Sequence, residues 1–392
     1  MSAAPRRVLL VEEGGIGGVA DYTDELAGAL VRAGWRVDLA SGCDHGRAPA
    51  PGVRVHAVFP YVRGRTTLGR LARRLRLARA INGLTHLGGS LVVARLARGC
   101  DVVHLQGEEW PPLGAARALL LRAAGRPIVY TPHNTFDRGT RMYGRSHAII
   151  RRCAAAIVVH SEYDRRRLPA QLASKTRVIP HGEYGGLARR GGNEVDPGAA
   201  RAELGAGEEE LVVLLFGQLR PDKGVGDLLR AAAEVPSVHV VLAGEDHGAL
   251  EQAADALRDE RLRGRLSTLP GHVPPERMGQ LFAAADVVAL PYRRASASGV
   301  LLLAYGYSRP VLAYPVGGLP EYVLDGRTGW LCERADTQAL ADALRAAASS
   351  GRAECRARGE QAQRFSAERF SWDAIAQQTI ACYEELSVRS YG

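Results

Sequence analysis

The sequence predicts a doubly wound α/β protein made of two tandem domains. Three observations carry that expectation. Short apolar runs recur along the chain, helical stretches separate them, and the alternation lapses near residue 183 and restarts at 211. Strands of a parallel sheet covered on both faces read as continuous apolar runs of this kind, without inside–outside alternation. A chain of 392 residues is long enough for two or three cores.

The first run, VLLV at 8–11, reads as a buried strand, and the helical pattern 19–33 follows it. RVDLAS (36–41), VRVHAVF (53–59), DVVHLQG (101–107), PIVYTPH (127–133), AIVVHS (156–161) and RVIPHG (177–182) complete a first domain, 1–185. Residues 186–209 carry Gly191, Gly192, Pro197 and an acidic run without apolar period, so a linker is expected there. LVVLLFG (211–217), VHVVLAG (238–244), LSTLPG (266–271), DVVALPY (286–292), PVLAYPVGG (310–318) and TGWLCE (328–333) make a second domain, 210–372. Its helices are expected near 224–234, 249–259, 276–285, 299–307 and 337–349. Ligands of such sheets bind at the carboxyl ends of the strands, and two domains in tandem suggest a cleft between them.

Composition removes several classes of function. No 18-residue apolar run exists to cross a bilayer, and VLLV runs at once into Glu12 and Glu13, too short and wrongly flanked for a signal peptide. Six scattered cysteines without a C-x-x-C pair argue against a zinc site or a disulfide framework and point to the cytoplasm. The net charge of +9 is uneven, +16 over residues 1–192 and −7 over the rest. Arg63 to Arg79 form a basic stretch interleaved with Leu68, Leu71 and Leu75. It reads either as a solvated helix face or as a peripheral contact with the inner face of a membrane. Without a recognition helix or an aromatic stacking pattern, nucleic acid is not an expected partner.

Three glycine-rich turns could carry chemistry. Gly15, Gly17 and Gly18 follow the first strand and open a helix, where backbone amides can approach a phosphate or a sugar. Gly15, Gly17 and Ala20 also satisfy G-x-G-x-x-A, so a nicotinamide dinucleotide is an alternative ligand, with Asp38 on the ribose. Gly217 to Gly224 follow the second domain's first strand, and Arg220 and Lys223 are spaced to converge on a diphosphate. Ser298, Gly299 and Val300 open a further helix and offer hydroxyl and amide donors. Gly317 to Glu321 close the next strand in the same manner.

These turns, with Asp21-Tyr22, Pro132-His133-Asn134, His160-Ser161-Glu162, Pro180-His181-Gly182, Gly271-His272-Val273 and Arg309-Pro310, resemble in their order the retaining GT-B glycosyltransferases of family 4. The resemblance covers nearly the whole chain. It implies two Rossmann-like domains and transfer of a sugar from a nucleotide-diphospho-sugar, UDP-linked by preference, to an acceptor hydroxyl with retention, needing neither metal nor cofactor. The acceptor would be a small molecule or lipid-linked, in bacterial secondary-metabolite or glycoconjugate biosynthesis. By position, Arg220, Lys223 and His133 would be catalytic; Gly17, Gly18, Gly217, Ser298, Gly299 and Val300 would bind the donor phosphates. Gly271, His272, Val273 and Leu303 would border base and ribose, and Glu13, Gly15, Asp21 and Tyr22 the acceptor. The C-terminal helix, about 373–392, would rejoin the first domain.

The chain departs from the family pattern in one respect. Two glutamates spaced eight apart are replaced by Ala295 and Leu303, which removes hydrogen bonds of about 1 kcal/mol each or more. The alternative expectation is therefore a catalytically silent relative that binds a nucleotide sugar or supports a partner subunit.

Overall fold

Two separate parallel sheets organise the protein. In this computed structural model, residues 6–43, 48–60, 78–135, 141–190 and 195–389 are described. The chain divides into one unit of residues 1–182 with 372–392 and another of residues 183–371.

The first sheet contains β1 (Arg7–Val11), β2 (Arg36–Gly42), β3 (Val53–Phe59), β4 (Val102–Gln106), β5 (Ile128–Thr131), β6 (Ala156–Val159) and β7 (Thr176–Val178) in the order β3-β2-β1-β4-β5-β6-β7. All its pairings are parallel, with Leu9 opposite Asp38 on one side and Val103 on the other. The order reverses between β1 and β4, which places the topological switch point beside the glycine turn after β1. Helix α1 (Gly18–Arg32) buries Tyr22, Leu26 and Leu30 against one face. The C-terminal helix Trp372–Arg389 packs Ile375, Ala376 and Tyr383 into the same cluster, beside Trp35.

The second sheet contains β8 (Leu211–Phe216), β9 (Val238–Gly244), β10 (Leu266–Pro270), β11 (Val287–Leu290), β12 (Val311–Ala313) and β13 (Gly329–Leu331) in the order β10-β9-β8-β11-β12-β13. Its switch point lies between β8 and β11. Two apolar clusters, one on each face, consist almost wholly of Val, Leu and Ala with a few aromatic rings.

Three expectations are corrected. The stretch 186–209 is more than a connection: helices Gly185–Arg190 and Pro197–Glu203 lie in it, and Ala200 and Leu204 enter the second unit's core. Arg201 anchors that helix, giving Nη1 to Asp286 at 2.7 Å and Nη2 to the Gly207 and Glu210 carbonyls. Its long-range partner is why no apolar period announced it. The helix expected at 249–259 is two single turns, Ala249–Gln252 and Ala254–Leu257, interrupted at Ala253. That expected at 337–349 continues as Thr337–Arg369, bent where Gly351 takes φ 79°. The basic stretch Arg63–Arg79 lies outside the described residues, apart from the backbone of the first turn of helix Ala78–Ala97.

None of the six cysteines forms a disulfide; Cys43 is exposed and the other five are buried. No described helix is long and apolar enough to cross a membrane.

Candidate functional site

In the second unit, the carboxyl edge is assembled by glycines at strand ends. Gly217 (φ 102°) ends β8 and its amide donates to the Ala243 carbonyl at 2.9 Å. A Cβ on Gly244 would overlap the Gly217 carbonyl, one on Gly224 the Pro291 carbonyl, and one on Gly317 the Ala295 carbonyl. Only hydrogen fits at these three contacts, so the loops after β8, β9, β11 and β12 close onto one another. Gly217 faces Val300, 3.4 Å from the position its Cβ would take.

Arg220 and Lys223 flank that edge. Asp222 grips Arg220 in a fork, Nε to Oδ1 at 2.9 Å and Nη2 to Oδ2 at 3.1 Å, and Gln218 accepts from Nη1 at 3.0 Å. The carboxylate beside it raises the Arg220 pKa further, so the guanidinium is a fixed positive charge. Lys223 Nζ sits 3.5 Å from the centroid of the buried Tyr292 ring, a cation–π contact at the end of β11. Ser298 caps helix Gly299–Gly306 by accepting from the Leu301 amide at 3.3 Å, and Gly299 lets Tyr184 approach. The cap aims the positive end of a short helix at the same edge as the two cations. Gly271 (φ 127°) and the exposed His272 sit at the end of β10, while Val273 packs on the core.

In the first unit, the carboxyl edge is built from buried polar side chains. Glu12 accepts from the Gly14 amide at 2.8 Å, the Gly15 amide at 2.7 Å and Ser41 Oγ at 3.2 Å, which folds the glycine turn back on itself. Burial nevertheless pushes its carboxyl up to about 7. Beyond it Gly17 (φ 93°) caps α1, and a Cβ on Gly17 or Gly18 would meet nothing within 4 Å. Asp21 is in the first turn of α1 and half-buried.

Three histidines at strand ends and Trp372 gather around Tyr22. Its ring lies 4.8 Å from His133, 5.1 Å from His160, 4.9 Å from His181 and 5.1 Å from Trp372, centroid to centroid. His160 Nδ1 donates to the Ile179 carbonyl at 3.0 Å, and its Nε2 lies 3.3 Å from His133 Nδ1. His133 Nε2 donates to Gln106 Oε1 at 2.9 Å. Burial, with the neighbouring histidines, holds the His133 imidazole well below its ordinary pKa, and holds His104 and His181 at about 3. His133 also has φ 52°, a left-handed backbone rare outside glycine and asparagine, of the kind that costs roughly 1–3 kcal/mol and clusters at functional sites.

Four residues singled out by position lie buried in the structure. Glu13 is buried and ion-paired with Arg117, which also bonds Glu108 at 2.5 Å, and it accepts from the Glu109 amide at 2.9 Å. Burial favours a proton on both carboxyls; the Arg117 charge outweighs it at Glu13 and holds that group low, while Glu108 stays well above the usual range. Tyr22 is buried beneath the histidines, and Leu303 is buried in the second unit's core, so neither is exposed to a ligand. Asp38 pairs with Arg7 at 2.6 Å and His56 at 2.7 Å in mid-strand, away from any ribose position. Gln106, Glu12, Arg117 and Tyr292 carry much of the geometry and were not foreseen in these roles. Places at or beside strand ends marked Gln106, Glu12 and Tyr292, while Arg117 lies within helix Pro111–Ala123 and carried no such mark. Among the described residues no group of three or more His, Cys, Asp or Glu is placed to hold a metal ion.

Family models match most of the chain: Glycosyltransferase Family 4 over residues 16–182 and Glycosyl transferases group 1 over 210–350. The chain belongs to glycosyltransferase family 4. Its similar family members include D-inositol 3-phosphate glycosyltransferases of Mycobacterium avium, 37% identical over 204 residues, and Mycobacteroides abscessus, 35% identical over 192. These alignments take in 50% and 48% of this family 4 chain but only 46% and 42% of the relatives. The GT-B fold is shared with Anabaena HepE in complex with UDP (TM-score 0.71, 21% identity, 97% of this chain and all of that one). It is shared also with sucrose-phosphate synthase from Thermosynechococcus elongatus (TM-score 0.73, 22% identity, 98% of this chain and all of that one).

Proposed function

We propose that this family 4 chain transfers a sugar from a nucleotide-diphospho-sugar, a UDP-sugar by preference, to an acceptor hydroxyl with retention of anomeric configuration and without a metal ion. The observation that carries the reading is the fixed pair of cations, Arg220 and Lys223, beside the capped helix at Ser298, all at the switch point of the second sheet. Departure of the nucleotide breaks the bond between the anomeric carbon and the β-phosphate oxygen and leaves negative charge on that phosphate. Preorganised cations and amides stabilise such charge as it develops. In this reading the acceptor oxygen bonds the anomeric carbon, its proton goes to the departing phosphate, and the protein needs no base of its own. His133, neutral and held by His160 and Gln106, contributes a fixed hydrogen-bonding ring toward the donor sugar. The loss of carboxylates at Ala295 and Leu303 leaves the donor's hydroxyls to backbone groups.

HepE and its complex with UDP support the choice of nucleotide, and the named substrate of the mycobacterial relatives makes a small polyhydroxylated acceptor the first to test. The absence of disulfides among the six cysteines supports a cytoplasmic setting for the reaction.

Calorimetric titration with UDP, GDP and dTDP, with and without magnesium, is expected to show selective, metal-independent binding of UDP. Transfer from UDP-sugars to inositol 3-phosphate and other polyols would then be followed by sugar-product analysis. Combined substitution R220A and K223A is expected to lower turnover by roughly 10²–10³-fold or more. Unchanged turnover in that variant removes the phosphate role. Nucleotide binding without transfer to any acceptor favours the silent relative instead.

A further inference from the structure

A second charged pocket lies at the other end of the second sheet. Asp286 immediately precedes β11, and Arg309 stands two residues before β12, so both sit at the amino ends of their strands. The carboxyl edge that carries Tyr292 and Ser298 is a strand length away, about 13 Å for four residues at roughly 3.3 Å each. Here a cavity of 320 Å³ is lined by Pro197, Asp286, Arg309, Arg352, Cys355 and Arg356, with Ala283 at its side.

The charge in this cavity does not balance. Asp286 is the one carboxylate in the lining, and both its oxygens are already engaged, one of them by Arg352. Oδ2 accepts from Arg201 at 2.7 Å and the Val212 amide at 2.8 Å, and Oδ1 from Arg352 Nε at 3.2 Å. Glu354, on the same helix as Arg352 and Arg356, pairs with Arg358 at 2.7 Å. Among the described residues neither Arg309 nor Arg356 has a carboxylate partner. Arg309 makes one long bond, Nη2 to the Ala283 carbonyl at 3.4 Å, and its Nε is buried without any partner. Burial lowers the Arg309 pKa; the Asp286 charge acts against it, and the charges of Arg356 and Arg352 add to it. A buried donor left unmade is costly, and an arginine fork is suited to phosphate oxygens.

The position of Arg309 is built in. Gly359 brings its helix so close to the Ser308–Pro310 bend that a Cβ would overlap the Ser308 carbonyl, and Ser308 itself takes φ 54°. The bend cannot relax outward to carry the guanidinium into water without undoing that contact.

We propose that this pocket is a binding site for a phosphate group, with Arg309, Arg352 and Arg356 as its ligands. Inorganic phosphate and the phosphomonoester of a small metabolite share that chemistry. The site is separate from the proposed donor site and does not depend on it.

The test is calorimetry of the full chain, at matched ionic strength in chloride, with inorganic phosphate and with glucose 6-phosphate as probes. Each titration is repeated with R356Q, R309Q, the exposed-surface control R258Q, and the R220A and K223A double variant. Saturable binding is expected, weakened about tenfold or more by R356Q or R309Q, as loss of a charge-assisted bond requires, and unchanged in the other two variants. Tighter binding of glucose 6-phosphate identifies a phosphomonoester as the ligand, and equal or weaker binding identifies the inorganic ion. Non-saturable heats, or affinity indifferent to both R356Q and R309Q, overturn the proposal. So does binding that disappears only in the R220A and K223A variant, which would assign the ion to the donor site. Arg356 is exposed on its helix, so R356Q is expected to melt as the parent does in chloride and its loss of affinity is not a loss of fold.

Discussion

The carboxyl edges of the two sheets solve different problems with different materials. The first is made of desolvated polar groups: Glu12 folded around the glycine turn, the Glu13–Arg117–Glu108 triad, and histidines packed on Tyr22. The second is made of glycines that let strand-end loops touch, with Arg220 and Lys223 placed at their rim. Buried ionic groups demand complete pairing and therefore define shape at an energetic cost. Partly exposed, braced cations cost little and are available to a ligand. The first edge should therefore be sensitive in stability, and the second in activity.

Arg117→Met would test the contrast most severely. It strands two buried carboxyls, and a loss of about 3–5 kcal/mol is expected in denaturant unfolding; a loss below about 1 kcal/mol would mean that Glu13 and Glu108 are jointly neutral and the triad is no ion pair.

Acid comes next. His104 and His181, at about 3 in the folded chain against 6.5 unfolded, contribute stability that is complete above 6.5 and lost as pH falls toward 3. Glu12, raised from 4.5 to about 7, works in the opposite sense, its contribution complete below 4.5 and lost as pH rises through 7. The histidines outnumber it, so hydrogen exchange should show Leu9, Leu10 and Val103 losing protection between pH 6.5 and 4 before Val213 and Leu214 do. Glu12→Gln removes the opposing contribution, worth roughly 3 kcal/mol across that window, and should steepen the acid loss. Simultaneous loss in both sheets would erase the distinction.

On the second edge, Gly224→Ala forces a Cβ against the Pro291 carbonyl at φ 72°. A cost of about 1–3 kcal/mol is expected, with a larger proportional fall in UDP affinity than in stability, because Lys223 is the preceding residue. The mildest change is Ser298→Ala, about 1 kcal/mol for the lost cap, read as a lowered melting temperature with His-cluster NMR shifts unaltered. Movement of those shifts would show that the edges are not independent.

Much of this was legible in the sequence because a parallel sheet hides little. VLLV, DVVHLQG and LVVLLFG are apolar on both faces, and each strand lies within two residues of its reading where the run is uninterrupted. Turn glycines were legible for a similar reason, since their positions after strands mark where backbone must bend. Pairings across long sequence distances were not. Nothing local links Glu13 to Arg117, 104 residues away, or Arg201 to Asp286, 85 away, so one was taken for an acceptor contact and the other lay in an expected linker. The burial of Tyr22 and Leu303 was not legible either, because a position in a motif does not say which way a helix face turns. Helix Thr337–Arg369 was expected to end at 349, but the chain resumes its helix after one left-handed residue, Gly351.

The thiols turn this architecture into a clock. Cys43 stands open to reagents, while Cys100, Cys153 and Cys382 are shut in the first unit and Cys332 and Cys355 in the second. Under native conditions an alkylating agent should mark one site quickly, and each later mark requires an opening of the unit that hides it. The order in which mass is gained at Cys153 and at Cys332 would then give the sequence in which the two halves breathe, with no probe added to the protein.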